Sequence, residues 1–382
     1  MRILHTSDWH IGRHFHNVSL LEDQAVVLDQ IIAIAEDRQV DVILVAGDLY
    51  DRSVPPASAV ALLDDIFHRI CNDLKIPVIL IPGNHDGPER LSFGSRQMAG
   101  SGLNIIGSLG DIARPITVED EHGKIAFYSI PYVEPATVRN VFGVDVSTHD
   151  EAISYILSQV IENHAPRQRS VVLAHLFLDG GITSESERPL SIGGLDQVSA
   201  EYFKFFDYAA LGHLHGRQYK GAETICYSGS ILKYSFSEVN HHKSVNLVEI
   251  DGQGNCVIEQ VPLIPKRDMR VLEGFLAELL AQGQTDPHPD DYLLIRLLDT
   301  HAILDIMSKL REVYPNVLHL ERPGLMASGK QHQPRRDHLK RGQMVMFKDF
   351  FQQVSGEALS TEQSEIIEKS LAEIDKGEVQ SR

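Results

Sequence analysis

The chain has 382 residues, more than one hydrophobic core usually organises, so two or three domains are expected. A formal net charge of -18 excludes a protein that grips nucleic acid through its whole surface; such contact would have to be local, metal-mediated or supplied by a partner. Hydrophobic content of 43% and charged content of 23% are those of an ordinary globular chain, which argues against a disordered or fibrous one.

The three cysteines, Cys71, Cys226 and Cys256, are scattered and lack metal-binding spacing, which fits a reduced, cytoplasmic compartment. Cys226 and Cys256 fall in strand-like runs and read as small buried hydrophobes. The first strand-like run begins at Ile3, so no signal peptide is expected ahead of it, and no apolar stretch approaches a membrane span.

Short aliphatic runs recur along the chain, and several end in polar residues with chemical potential. Residues 2–6 lead into Ser7-Asp8-Trp9-His10. Leu21, Ala25, Leu28, Ile32 and Ala35 then share a helical face. Residues 42–46 lead into Gly47-Asp48, followed by a second helical face with Leu62, Leu63, Ile66, Phe67 and Ile70. Residues 78–81 lead into Pro82-Gly83-Asn84-His85-Asp86. After a strand at 124–130 and a helix at 153–161, residues 171–174 lead into His175, and 208–211 into Gly212-His213-Leu214-His215. Further strands are expected at 224–227 and 245–250.

The strand–helix alternation implies an α/β protein. No obvious helix separates the last two strands, so a mixed sheet or two stacked sheets is expected. The polar clusters all sit at carboxyl ends of strands, where open α/β sheets bind ligands.

A Pro-containing charged stretch at 262–268 marks a boundary. Beyond it, the pattern predicts a helix at 270–280, a loop at 282–291, a strand at 292–298, a helix at 303–313 and a strand at 317–320. Between Lys309 and Lys348 lie nine basic residues (Lys309, Arg311, Arg322, Lys330, Arg335, Arg336, Lys340, Arg341, Lys348) against three acids (Glu312, Glu321, Asp337). Either a phosphate-contacting patch or a solvated face fits that island. Phe347, Phe350, Phe351 and Val354 repeat at helical spacing, and a final acidic helix carries Leu359, Ile366, Ile367, Leu371 and Ile374.

Phosphodiester hydrolysis must manage negative charge at phosphorus and on the leaving oxygen, and it needs hydroxide near neutral pH. Two divalent metals meet both needs, and mixed carboxylate and imidazole donors suit manganese or iron. The clusters supply that mixture. Asp8 and His10 would share one side of an extended strand end, as would His213 and His215. Asp48 can bridge two metals, Asn84 can offer a neutral carbonyl oxygen, and His175 adds an imidazole. His85 is placed to protonate a leaving oxygen or stabilise the pentacovalent phosphorus. Asp86 reads equally as a residue behind the ligands, orienting an imidazole, or as one that forms the turn. Trp9 reads equally as a substrate flank or as packing; His14, His16, His241 and His242 read as loop residues.

In order, Asp8-x-His10, Gly47-Asp48, Gly83-Asn84-His85-Asp86, His175 and Gly212-His213-x-His215 resemble the five motifs of the calcineurin-like phosphoesterase family. The finer wording, Thr6-Ser7-Asp8-Trp9-His10-Ile11-Gly12, Gly47-Asp48-Leu49-Tyr50-Asp51 and Ser228-Gly229-Ser230, is similar to its SbcD branch of bacterial nuclease subunits. The resemblance implies a four-layer αββα sandwich with a small C-terminal α/β capping domain and terminal helices. The corresponding divisions are a nuclease domain at 1–265, a DNA-guiding cap at 266–330 and a helical partner-binding region at 331–382.

It also implies two divalent cations, manganese by preference: Asp8, His10 and His215 at one, Asn84, His175 and His213 at the other, Asp48 bridging and His85 catalytic. Archaeal and eukaryotic members carry a histidine where this chain has Asp51, which leaves that residue's role open. The implied activity is exonuclease and endonuclease cleavage of DNA in break and hairpin processing. The implied partner is an SbcC-like SMC-type ATPase with a coiled coil, in a heterotetramer containing two copies of this chain. A phosphoesterase of small phosphodiesters or nucleotides, and a metal-free scaffold on the same fold, are the competing expectations.

Overall fold

The computed structural model describes residues 1–187, 196–301, 303–323, 344, 347–348, 351–352 and 358–380. The chain divides into two compact units, Met1–Lys266 and Arg267–Arg382.

Two six-stranded sheets make up the first unit. In one, the order is Cys256–Pro262, Ser244–Ile250, Arg2–Thr6, Val42–Ala46, Val78–Ile81 and Leu103–Ile105. The last four strands run parallel, and the first two join as an antiparallel pair. In the other, the order is Gln218–Lys220, Ala222–Tyr227, Tyr208–Gly212, Arg169–His175, Gly123–Ile130 and Ile116–Asp120. Its central four strands are parallel and its edges antiparallel. Strands buried on both faces read as unbroken aliphatic runs, which is why 42–46 and 171–174 carry no polar alternation.

Between the sheets, Ile3, Val42, Leu44, Ala46, Ile79 and Ile81 pack with Ile125, Phe127, Val171, Leu173, Tyr208 and Ala210 of the other sheet. On the second sheet's outer face, Tyr128, Ile130, Val172, Ala174 and Leu211 meet Val138 of the helix Pro135–Phe142 and Ala152, Ile153, Ile156 and Val160 of the helix His149–Glu162. The latter helix starts where it does because Thr148 and Glu151 form a reciprocal capping box. The outward residues of the first sheet, Leu4, Ile43, Val45 and Leu80, are equally buried, as are Val27, Leu28 and Ile31 of the helix Leu21–Asp37. The result is the four-layer αββα sandwich. The helix expected around Leu62–Ile70 is Ala57–Phe67, continued by a wider π-turn at His68–Asp73.

The second unit holds a parallel three-stranded sheet, Met269–Gly274, Tyr292–Leu297 and Val317–Glu321, with crossover helices Leu276–Gly283 and Ile306–Arg311. Leu276, Leu279, Leu293, Ile295, Leu310, Tyr314 and Val317 form its core. The helix expected at 270–280 is therefore a strand followed by a helix, and the one at 303–313 is shorter than expected. Two members of the basic island serve their own unit: Arg311 donates to the Val317 carbonyl, and Arg322 to those of Asp299 and His301. Lys330, Arg335, Arg336, Lys340 and Arg341 lie outside the described residues, as do Phe350 and Val354 of the aromatic stripe. The rings of Phe347 and Phe351 stack with centroids 6.5 Å apart. A last helix spans Thr361–Gln380. Among the described residues no helix is long and apolar enough to cross a membrane.

Candidate metal centre

The carboxyl ends of Arg2–Thr6, Val42–Ala46 and Val78–Ile81 in one sheet meet those of Arg169–His175 and Tyr208–Gly212 in the other. The join is direct. His175 Nδ1 donates to the Ala46 carbonyl across the sheets at 2.8 Å, which leaves Nε2 as the lone-pair nitrogen. Approach this close needs glycine: a Cβ on Gly212 would lie 1.9 Å from the Ala46 carbonyl oxygen, and one on Gly83 2.2 Å from Asp48 Oδ1.

All seven expected ligands converge here. Ligand atoms of Asp8, His10 and His215 lie within 4.8 Å of one another, and so do those of Asp8, Asp48 and His175. Asn84 Oδ1 lies 3.0 Å from His175 Nε2 and 3.3 Å from His213 Nδ1. Asp48 Oδ2 is 3.6 Å from His10 Nε2 and 3.6 Å from His175 Nε2, so one carboxylate stands between the two groups.

The local backbone differs from the extended strand ends expected. Asp8, His10 and Asp48 have φ of 53°, 45° and 51°, and His213 has φ of 108°. Such positive values are uncommon outside glycine and cost on the order of 1–3 kcal/mol each. Cross-loop hydrogen bonds hold them: Asp8 N–H to the Gly47 carbonyl, His10 N–H to the Asp48 carbonyl, and His213 N–H to the Asp8 carboxylate.

His85 donates its backbone N–H to Asp48 Oδ1 at 2.8 Å. Its Nδ1 donates to the Asp51 carbonyl at 2.9 Å, and its ring meets that of His10 edge to face. The Asp51 carboxylate pairs with Arg13 at 3.2 Å and approaches His10 Nδ1 at 3.8 Å. Among the described residues Asp86 hydrogen-bonds no imidazole. Its carboxylate instead accepts the backbone N–H groups of Leu49, Tyr50 and Gly83, tying the Asp48 loop to the Asn84 loop. Trp9 is fully buried, donates to Thr6 Oγ1 and packs near Phe67, which is the packing role of the two expected. His14 and His16 are exposed on a small hairpin.

Several supporting residues carried no sequence signal. Gln24 donates to the carbonyls of Trp9 and His10 and accepts from Gly12 N–H. Tyr234 donates to the Trp9 carbonyl. Ser186, Glu238 and Lys243 gather behind His215. None belongs to a motif; only the fold brings them in.

Burial dominates the electrostatics. It lifts the Asp8 carboxyl to about 6, partly offset by His175 and His215. It also pushes Asp48 and Asp86 upward and holds His10, His175 and His213 below the ordinary imidazole range. Divalent cations require neutral imidazoles and ionised carboxylates of their donors, so the imidazoles suit them as they stand, whereas the raised carboxyls would release their protons on binding. Two further observations fit cations here: among the described residues His10 Nδ1 is buried with no hydrogen-bond partner, and Nε2 of His10 and of His215 face each other at 3.1 Å. The mixture of carboxylate, imidazole and amide oxygen suits two ions.

Comparison with known proteins agrees with this geometry. The family model for calcineurin-like phosphoesterases matches residues 1–217. A model described as the type 5 capsule protein repressor C-terminal domain matches residues 265–355. Over 370 residues the chain is 36% identical to the SbcD component of the nuclease SbcCD from Staphylococcus saprophyticus subsp. saprophyticus, covering 97% of each chain. It is 35% identical over 373 residues to the component of the same name from Staphylococcus epidermidis, covering 97% of this chain and 98% of that one.

Proposed function

This chain belongs to the calcineurin-like phosphoesterase family, in the branch that the two staphylococcal nuclease components represent, and on that premise we propose that it is a metal-dependent DNA nuclease acting with an SMC-type ATPase. It is a hydrolase of phosphodiester bonds. In this reading Asp8, His10 and His215 hold one divalent cation, Asn84, His175 and His213 a second, and Asp48 both. Manganese is the expected ion. Once bound, such a pair supplies Lewis-acid charge and an acidified water.

The rest falls to the chain's own groups. His175 is held with Nε2 toward Asn84 and Asp48 by the Ala46 carbonyl, so its coordinating nitrogen is chosen before any ion arrives. Asp48 carries one oxygen between the two histidine groups while the other accepts the His85 N–H, which fixes the carboxylate plane. His85, with Nδ1 donating to the Asp51 carbonyl, presents a lone pair at Nε2 when neutral, so it gives a proton to the leaving oxygen from Nε2 in its imidazolium form, which carries hydrogen on both nitrogens. Asp51, through Arg13, keeps a cationic side chain beside the rim.

The second unit is proposed to guide DNA, and the terminal helices to bind the coiled-coil root of an SbcC-like ATPase, in a cytoplasmic heterotetramer with two copies of this chain. The names of the staphylococcal relatives support a complex of two kinds of chain.

The position of Asp48 between two histidine groups carries the proposal. Manganese-dependent cleavage of duplex and hairpin DNA, with Asp48→Ala as control and the ATPase present, tests it. The expected result is cleavage by the native protein and at least a hundredfold loss in D48A, about 3 kcal/mol of transition-state stabilisation. Hydrolysis of bis(p-nitrophenyl) phosphate with no cleavage of DNA would replace the nuclease reading by one of small phosphodiesters.

A further inference from the structure

Behind His215, on the side away from His10, lies a buried charged cluster whose Ser186, Glu238 and Lys243 no sequence motif marks. Glu238 has no exposed surface, and Lys243 is 8% exposed. The Lys243 ammonium donates to Glu238 Oε2 at 2.5 Å, to the His215 carbonyl at 2.8 Å and to Ser230 Oγ at 2.8 Å. Glu238 Oε1 lies 3.3 Å from His215 Nδ1 and accepts the hydroxyl of Ser186, whose oxygen is 2.6 Å from the same Nδ1. Glu187 accepts the His215 backbone N–H at 2.7 Å. Taking a carboxylate and an ammonium out of water costs several kcal/mol, and an apolar pair of similar volume would fill the space as well.

Donor counting shows what the pair achieves. An ionised carboxylate only accepts. Ser186 has one proton and gives it to Glu238, so toward His215 its oxygen accepts. Nδ1 of His215 must therefore carry the hydrogen, and Nε2 is left as the lone-pair nitrogen, aimed at His10 Nε2 and the Asp8 group. Lys243 neutralises the carboxylate and at the same time grips the His215 carbonyl, so ring and backbone are fixed by one cluster.

We propose that Glu238, relayed by Ser186 and neutralised by Lys243, is a positioning residue that sets the His215 tautomer and aims its Nε2 at one of the two cation sites. The inference rests on the dinuclear centre proposed above. Partners of this kind behind a ligating histidine typically change metal affinity by about tenfold to a hundredfold.

The test compares the native full chain with Glu238→Gln and Ser186→Ala. Mn²⁺ titration calorimetry counts and ranks the binding steps. Nitrogen NMR of the metal-free protein, labelled at histidine, reads the His215 tautomer, its signal assigned by loss in His215→Asn. The native chain should bind two Mn²⁺ and show the Nδ1–H form. Both variants should weaken one step about tenfold to a hundredfold, leave the other within about threefold, and lose the single Nδ1–H signal. A merely structural role would lower the melting temperature without moving that signal. If Glu238→Gln fails to fold, Ser186→Ala decides, because it leaves the Glu238–Lys243 pair intact. Two native steps with both steps and the tautomer unchanged in the variants would overturn this inference alone. A native chain that binds no Mn²⁺ would overturn the dinuclear centre with it.

Discussion

Removing the Asp86 carboxylate would leave three backbone donors without their acceptor, those of Leu49 and Gly83 buried and that of Tyr50 partly so. Each unsatisfied buried donor costs about 1–3 kcal/mol. Asp86→Ala is therefore expected to lower unfolding free energy by about 3 kcal/mol, measured by urea denaturation of the metal-free protein; an unchanged midpoint would contradict the role. At this scale the sequence is most informative about residue type. Carboxylate, imidazole and amide donors at strand ends declare metal chemistry, and all seven do converge. Their backbone is not legible in the same way. Asp8, His10, Asp48 and His213 adopt positive φ because partners from distant loops hold them there, and those partners are unknown until the strands are paired. Asp86 shows the same limit: its chemistry was evident, its partners were not.

Among the elements, one arginine ties strands of the second sheet to one another and to the turn at Asp251. Arg169, at the start of Arg169–His175, pairs bidentately with Asp120 at 2.9 and 2.5 Å and donates to the carbonyls of Gly123 and Asp251. The guanidinium holds the Asp120 carboxyl below the usual carboxylate range, against the effect of burial. A carboxyl depressed in the folded state adds stability above its unfolded pKa and loses it as pH falls further. Arg169→Met is thus expected to cost about 3 kcal/mol at pH 7. The difference from the native chain should shrink as pH falls below about 4, in chemical denaturation followed across pH. A cost that is independent of pH down to about 3 would count against the pair. Strands such as 42–46 were legible because burial on both faces demands unbroken aliphatic runs. The start of the second unit was not: Val271, Leu272, Leu276 and Leu279 satisfy a helical spacing, yet Met269–Gly274 pairs in parallel with Tyr292–Leu297. Tertiary pairing overrode local pattern there.

For the molecule as a whole, the net charge of -18 and the activity proposed here are compatible only if positive charge is concentrated where the phosphate must sit. The sheet rim supplies that place, with buried carboxyls and neutral imidazoles awaiting cations, while Arg311 and Arg322 of the basic island are engaged within their own unit. The stacking of two sheets was foreseen as one of two arrangements, since nothing local dictates which face of a buried strand meets which. Anomalous diffraction at the manganese edge, from crystals of the full chain soaked in MnCl₂, tests the central claim most directly. Two peaks are predicted, one among Asp8, His10 and His215 and one among Asn84, His175 and His213, with Asp48 reaching both. A rim without manganese at saturating concentration, or peaks bound by other residues, would contradict it.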